Sequence, residues 1–334
     1  MLVGEKPILL RDVLTARARL SGVVSNTPIR HSTWLSELAG AAVHLKLENL
    51  QLTGSFKLRG AFNCLKWAQE NHIERIFAAS AGNHGLGVAE AARRLGMEAT
   101  VCIPITASSA KKQKLRSYNV GVIEHGEDAE VTEAYARRIA REKKAFYVSP
   151  YNNAEVMAGQ GTIALEMLET LPGLTTLVVA VGGGGLIGGM AVAAKAIDPT
   201  IRIVGVVAAN SPVMMECVKS GCVKPVFSDK TIADGIAGNI EADTVTFPIA
   251  RELVDQWVSV EEADIRSAIF DFLDNEGMLI EGAAAVCIAA IEKKLVEFAP
   301  YEKVGVVVCG GNIARETWHD ICFDRLQITG GAEG

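Results

Sequence analysis

The run Leu52-Thr53-Gly54-Ser55-Phe56-Lys57-Leu58-Arg59-Gly60 joins two different patterns. Ahead of it, Val43-His44-Leu45-Lys46-Leu47-Glu48 alternates apolar and polar residues, the period of a half-buried strand. Thr53, Gly54 and Ser55 supply turn and helix-cap chemistry, and Lys57 falls in or just before the first helical turn. A helix N-terminus favours negative charge. An ammonium held there is therefore expected to have a lowered pKa, and a neutral amine is a nucleophile that forms Schiff bases. For one lysine taken alone, a solvated surface residue is the commoner case, so the rest of the chain has to decide.

Outward from this run, β-rich segments alternate with helical patterns. Candidate strands are Arg75–Ser80, Ala99–Pro104, Val120–His125, Ala145–Ser149, Thr176–Val181, Arg202–Ala209 and Val304–Gly310. Helical segments include His84–Leu95, Asp128–Glu142, Met157–Thr170 and Leu186–Ala196, and Glu261 to Lys294 reads as two more helices. This alternation predicts an α/β fold with parallel sheets covered on both faces and right-handed crossovers. The number of strands favours two sheets over one. Arg75 to Pro150 reads as four consecutive βα units, a compact inserted domain of residues 75–150. Residues 1–74 plus 151–334 then form the larger domain.

The chain has 334 residues, 49% of them hydrophobic, enough for a globular protein with a sizeable core. A net charge of -6 disfavours nucleic acid as a partner. Lys111-Lys112-Gln113-Lys114 reads as a solvated helix face. Seven cysteines, an odd count without CxxC spacing, suit reduced thiols in a cytoplasmic protein. Met1 to Leu14 lacks the continuous apolar core of a signal peptide, and no apolar stretch of membrane-spanning length escapes glycine or charge.

Val178-Val179-Ala180-Val181 runs into Gly182-Gly183-Gly184-Gly185 and then Leu186-Ile187. A buried strand, a glycine loop and a helix start form a phosphate cradle, because backbone N–H groups and the helix dipole both favour an anion there. A tight βα turn is the alternative, but four glycines exceed what a turn requires. No Lys-Ser or Lys-Thr follows, so this is not a P-loop. A dinucleotide fingerprint belongs at the first βα unit, whereas this loop lies mid-chain. Ser80-Ala81-Gly82-Asn83-His84-Gly85 follows a strand and opens a helix, and would suit a carboxylate; it is equally an ordinary capped turn. Cys309-Gly310-Gly311-Asn312 ends the last strand, where an isolated cysteine is usually a small buried hydrophobe. Cys217 and Cys222 read as packing residues. Ala158-Gly159-Gln160-Gly161-Thr162 is expected to open a helix, and Glu281 reads as a buried carboxylate or a first-turn cap, with the cap favoured.

These motifs, in this order and over nearly the whole chain, resemble the fold-type-II pyridoxal-phosphate enzymes, within them the serine/threonine dehydratase and serine racemase branch. Ala233-Asp234-Gly235 belongs to the same set. The resemblance implies a two-domain, parallel-sheet-rich α/β fold like that of tryptophan synthase β, with the larger domain binding the cofactor. It implies that Lys57 holds pyridoxal 5'-phosphate as a Schiff base and, once freed, removes the substrate α-proton. Phe56 is similar to the aromatic residue packed on the cofactor ring, and Asn83 to the amide at its phenolic oxygen. Gly182, Gly183, Gly184 and Gly185 resemble the phosphate loop, and Cys309 the residue beside the pyridine nitrogen. Ser80, Ala81, Gly82, Asn83 and His84 resemble the substrate-carboxylate loop, and Gly235 the residue near the reacting amine.

The implied activity is β-elimination of a hydroxy-amino acid such as L-threonine or L-serine to a 2-keto acid and ammonia, by a cytoplasmic, catabolic ammonia-lyase acting as a homodimer. Ala81 stands where racemases of the family carry a serine, so little racemisation is expected. Relatives with a divalent cation site carry an acidic residue where this chain has Asn210, which leaves Glu216 as a weak metal candidate and favours no metal. The end at Gly334, soon after the last strand, leads to the expectation of no added regulatory domain. Alternatives are a dehydratase for 3-hydroxyaspartate or a hydroxyectoine-derived amino acid, a serine racemase, a β-replacement synthase and, last, a non-catalytic amino-acid-binding module.

Overall fold

The computed structural model describes residues 8–330. The chain begins with α1 (Leu10–Leu20), β1 (Ile29–His31), α2 (Thr33–Ala39) and β2 (Ala42–Leu47). It passes a 3-10 turn at Glu48–Leu50 and enters α3 (Lys57–Glu70). Alternation follows through β3 (Arg75–Ala79), α4 (Asn83–Leu95), β4 (Glu98–Ile103), α5 (Ser109–Arg116), β5 (Gly121–Glu124), α6 (Ala129–Glu142) and β6 (Phe146–Tyr147). Next come α7 (Ala154–Thr170), β7 (Thr176–Ala180), α8 (Gly185–Ile197), β8 (Arg202–Ala208) and α9 (Val213–Ser220). A second 3-10 turn, Asp234–Ile236, precedes α10 (Thr246–Leu253), β9 (Gln256–Val260), α11 (Glu262–Glu276), α12 (Gly282–Glu292), β10 (Lys303–Val308) and α13 (Arg315–Gly330).

The strands form two sheets. A six-stranded sheet has the order β1-β2-β10-β7-β8-β9, and a four-stranded sheet the order β5-β4-β3-β6. Among the described residues, β1–β2 is the only antiparallel pair of strands. Parallel neighbours need long crossovers, and the helices that supply them cover the sheet faces. Hence β7, β8 and β10 are near-continuous buried runs, and the main core packs Val178, Val206 and Val306 with Ile288 and Phe272. All four strands of the second sheet lie between Arg75 and Tyr147. Parallel pairing also brings the carboxyl ends of neighbouring strands to one edge, where open α/β sheets place ligands.

Three expectations change. Lys46 and Glu48, read as the solvent face of a half-buried strand, are both 0% exposed. They join Arg59 and Glu166 in an interior ion cluster: Arg59 donates to Glu48 (Nε 2.9 Å, Nη2 2.8 Å) and to Glu166 (Nη1 2.6 Å, Nη2 2.9 Å). Burial works against each charge, but the carboxylates hold the Arg59 pKa above its usual value and Arg59 holds that of Glu48 below. The Ala158–Thr162 segment lies inside α7, which starts earlier, capped by the Asn153 side chain on the Val156 N–H (3.0 Å). Its glycines allow helix contact instead: a Cβ at Gly159 would come within 2.6 Å of the Arg59 carbonyl, and one at Gly161 within 2.6 Å of the Gly189 carbonyl. Finally, Lys111 and Lys114 of α5 face the other sheet's loops. Lys114 donates to Asn312 (3.1 Å) and Lys111 stands 3.7 Å from Asp234.

Candidate active site

The carboxyl-end loops of the two sheets meet at Lys57. Strand β2 leads through Thr53–Phe56 into α3, and the turn is held by β10: the Phe56 N–H donates to the Cys309 carbonyl (3.1 Å), and Ser55 bridges Gly310. The expected cap of α3 by Thr53 or Ser55 is not made. Phe56 occupies the cap position in helical conformation, and the buried hydroxyls of Thr53 and Ser55 have no partner. Lys57 is the first residue of α3, and its Nζ donates to the Pro150 carbonyl (3.2 Å) and lies 5.1 Å from the Phe56 ring centroid. Loss of hydration lowers its pKa to about 8, with Cys309 and Glu281 opposing the shift. The direction matches the sequence expectation, but the first cause is burial.

The four-stranded sheet contributes the Ser80–His84 loop after β3. Ser80 Oγ accepts from the Gly82 N–H (3.1 Å), and a Cβ at Gly85 would meet the Ser80 carbonyl at 2.0 Å, so only glycine lets α4 start this close. His84 is buried, with Nε2 2.9 Å from the Val148 carbonyl and Nδ1 without a partner. Burial, then the nearby Lys57, push its pKa down to about 3, so the ring is neutral and its proton sits on Nε2. Lys57 and His84 thus both anchor on the carbonyls that follow β6.

Gly182–Gly185 join β7 to α8 beneath Tyr151. A Cβ at Gly183 would lie 2.3 Å from the Tyr151 ring, and Gly184 has φ +85. Thr246 Oγ1 donates to the Gly183 carbonyl (2.7 Å). The first-turn amides of α8 have no acceptor within their own helix, which leaves donors for an anion. Gly235, in the second 3-10 turn, is close-packed: a Cβ there would meet Ala283 at 3.1 Å and Glu281 Oε1 at 3.5 Å.

Glu281 is the buried carboxylate of the two readings, not the favoured cap. It precedes α12 but makes no capping bond. Its two oxygens accept from Asn83 Nδ2 (2.8 and 2.9 Å), and Oε2 also accepts from the Asn312 N–H (3.1 Å). Burial raises its pKa to about 7; Asn83, Asn312 and Lys57 pull it back, and Asp234 adds to the rise. Cys309 is 2% exposed, and burial, then Glu281 and Cys287, push its thiol pKa well up, so it stays neutral. Asn312 and Tyr151 also went unrecognised; the only sequence signal for Asn312 was its place in the Gly-Gly-Asn run.

Lys57 thus lies by Phe56, Cys309, His84 and Glu281, Glu281 holds Asn83 and adjoins Gly235, and the glycine loop abuts the same 3-10 turn, where a Cβ at Gly182 would meet Ile236 at 2.7 Å. Glu216 lies on α9, where it pairs with Lys219 (2.8 Å). Among the described residues no group of three or more His, Cys, Asp or Glu could hold a metal ion. Cys217 is buried, whereas Cys222 is exposed and so is not a packing residue.

The model of the family described as pyridoxal-phosphate dependent enzyme matches residues 20–310. The chain belongs to the pyridoxal-phosphate dependent enzymes. Among its relatives, an L-threonine ammonia-lyase of Thermotoga maritima is 41% identical over 307 residues, covering 92% of this chain and 76% of the relative. A catabolic L-threonine dehydratase of Staphylococcus aureus is 38% identical over 334 residues, covering 98% and 95%. The solved structure of maize serine racemase superposes with a TM-score of 0.88 at 30% identity, covering 97% of this chain and 100% of that one.

The donor set of this pyridoxal-phosphate dependent enzyme suits its cofactor. A phosphate needs N–H donors, which the start of α8 offers. An aldehyde needs an unprotonated amine, which Lys57 approaches at neutral pH. Cys309 would offer a pyridine nitrogen an uncharged thiol, and the partnerless hydroxyls of Ser55 and Thr53 mark buried polar groups that the protein alone leaves unsatisfied.

Proposed function

We propose that this enzyme is a lyase that eliminates water from a hydroxy-amino acid such as L-threonine or L-serine, releasing a 2-keto acid and ammonia. The observation that carries the reading is Lys57: a buried lysine of low pKa at a helix start, acted on by Cys309 and Glu281 and seated on the Pro150 carbonyl beside Tyr151, which covers the glycine loop. Pyridoxal phosphate, when bound, supplies an electron sink for the pair left at Cα. The protein's part is then to hold and to move protons. The glycine loop and α8 would hold the phosphate, Phe56 and Cys309 would flank the ring, and Asn83 would donate to its phenolic oxygen. The Ser80–His84 loop orients the substrate carboxylate with backbone N–H groups at the start of α4. Lys57 would hold the cofactor through its Nζ, and the free amine, with its lowered pKa, is the group that would take the proton from Cα. Ala81 offers no second base on the opposite face, which favours elimination over racemisation.

The relatives named threonine ammonia-lyase and threonine dehydratase support this reading. The two separate sheets support a division into residues 75–150 and the remainder. Seven unpaired cysteines agree with a reducing, cytoplasmic setting, and a homodimer is retained from the family resemblance. No helix among the described residues is long and apolar enough to cross a membrane.

The test is keto-acid release from L-threonine, L-serine, both 3-hydroxyaspartate diastereomers and D-serine, by the wild type and Lys57→Ala. Release from L-threonine or L-serine, lost in Lys57→Ala, is the expected result. Release confined to a 3-hydroxyaspartate would move the enzyme to the dicarboxylate alternative, and copious D-serine from L-serine would sink the role given to Ala81.

A further inference from the structure

Glu281 is 5% exposed, and burying a carboxylate is costly unless its oxygens are used. A helix start does not need it, since a neutral serine or asparagine caps as well. The surroundings are nevertheless shaped to admit it. A Cβ at Gly310 would stand 2.5 Å from Glu281 Oε1, so glycine at that position makes the room. The carboxylate then spends both oxygens on Asn83 Nδ2 and one of them also on the Asn312 N–H.

The opposite side of the Asn83 amide is held equally firmly. Its Oδ1 accepts from Asn312 Nδ2 (2.8 Å), which also donates to the Thr53 carbonyl (2.8 Å). Asn312 Oδ1 in turn accepts from Lys114 (3.1 Å). Asn83 Oδ1 is taken by the Asn312 NH2 group, so Asn83 presents its own NH2 group to the Glu281 oxygens. The two oxygens of one carboxylate subtend a narrow angle at the nitrogen, so one N–H points between them. The second N–H stays free to donate elsewhere.

We propose that Glu281 is a positioning residue that fixes the Asn83 amide in one orientation and keeps its second N–H available to the cofactor. This deepens the reading of Asn83 as a cofactor contact and rests on it. Glu281→Gln preserves shape but turns one acceptor into a donor, which faces Asn83 Nδ2 from either position and, at Oε2, the Asn312 N–H as well. Either way the two-oxygen hold on the Asn83 NH2 group is lost.

The experiment is a double-substitution cycle on the protein reconstituted with pyridoxal phosphate. The readouts are the visible absorption maximum and the cofactor dissociation constant, for wild type, Glu281→Gln, Asn83→Ala and the pair. Glu281→Gln should shift the maximum and weaken cofactor binding about tenfold, the scale of one charge-assisted hydrogen bond. Over Asn83→Ala it should add nothing. If Glu281→Gln does not fold, Glu281→Asp replaces it, with a smaller shift expected that also vanishes over Asn83→Ala. Equal shifts in both backgrounds, or no shift in a folded variant, would overturn the proposal. A wild-type protein with no visible band would overturn the cofactor-site reading beneath it, and with it the role of Glu281.

Discussion

At Lys57 the chemistry depends on a proton count. Burial depresses its pKa from 10.5 to about 8, so the ammonium loses its proton on the alkaline side of neutrality. Only the neutral amine attacks an aldehyde. The rate at which the cofactor-free enzyme captures pyridoxal phosphate should therefore climb as pH rises through about 8 and flatten above it. Stopped-flow absorbance measures this, and a rate independent of pH across that range would refute it. The direction of the shift was legible in the chain, where Lys57 sits at the change from a strand pattern to a helical one, but its first cause, burial, was not. Nor was the role of Glu281. A glutamate before a small-residue helix reads as a cap, and nothing local reveals that its side chain turns instead to Asn83, far away along the chain.

Among the elements, the tie that matters most to α3 is Arg59. It joins the turn after β2 to α3 and α7 through Glu48 and Glu166, and Arg59 and Glu48 are both 0% exposed. Removing one partner of a buried pair strands the other charge without water or counterion. Arg59→Met should thus cost about 3–5 kcal/mol of unfolding free energy. Chemical denaturation tests this, and a loss below about 1 kcal/mol would mean that Glu48 is relieved by Lys46 alone. Legibility at this scale followed burial. Strands β3, β4, β7, β8 and β10 are apolar runs with few interpretations. The three-residue β1 and the edge strand β9, whose Gln256 and Ser259 interrupt it, carry too little pattern to be found. The glycines of α7 misled for the same reason. Glycine suggests a helix end until a second helix backbone is seen against it.

For the whole molecule, the site exists because two sheets present their carboxyl edges to one another. Glu241 is one fastening between them: it accepts from Arg137 of α6, from Asn152 (2.9 Å) and from Ser149 (3.4 Å), and its N–H donates to the Tyr151 hydroxyl (3.1 Å). Tyr151 packs on the glycine loop, so this fastening also supports the floor under that loop. Glu241→Ala should cost about 1–2 kcal/mol locally. Hydrogen exchange should quicken at residues 148–152 and stay unchanged in β7 and β8; equal protection throughout would show that the sheets are held without it. The sequence by itself determined the alternation, the lysine, the glycine loop and their order, because strand and helix periods and turn chemistry are local. Only the tertiary structure decided which charges are buried, that Glu281 and Asn312 grip Asn83, and that the carbonyls after β6 anchor Lys57 and His84. Those contacts join residues far apart in the chain, and side-chain direction and dielectric surroundings arise only when the sheets come together.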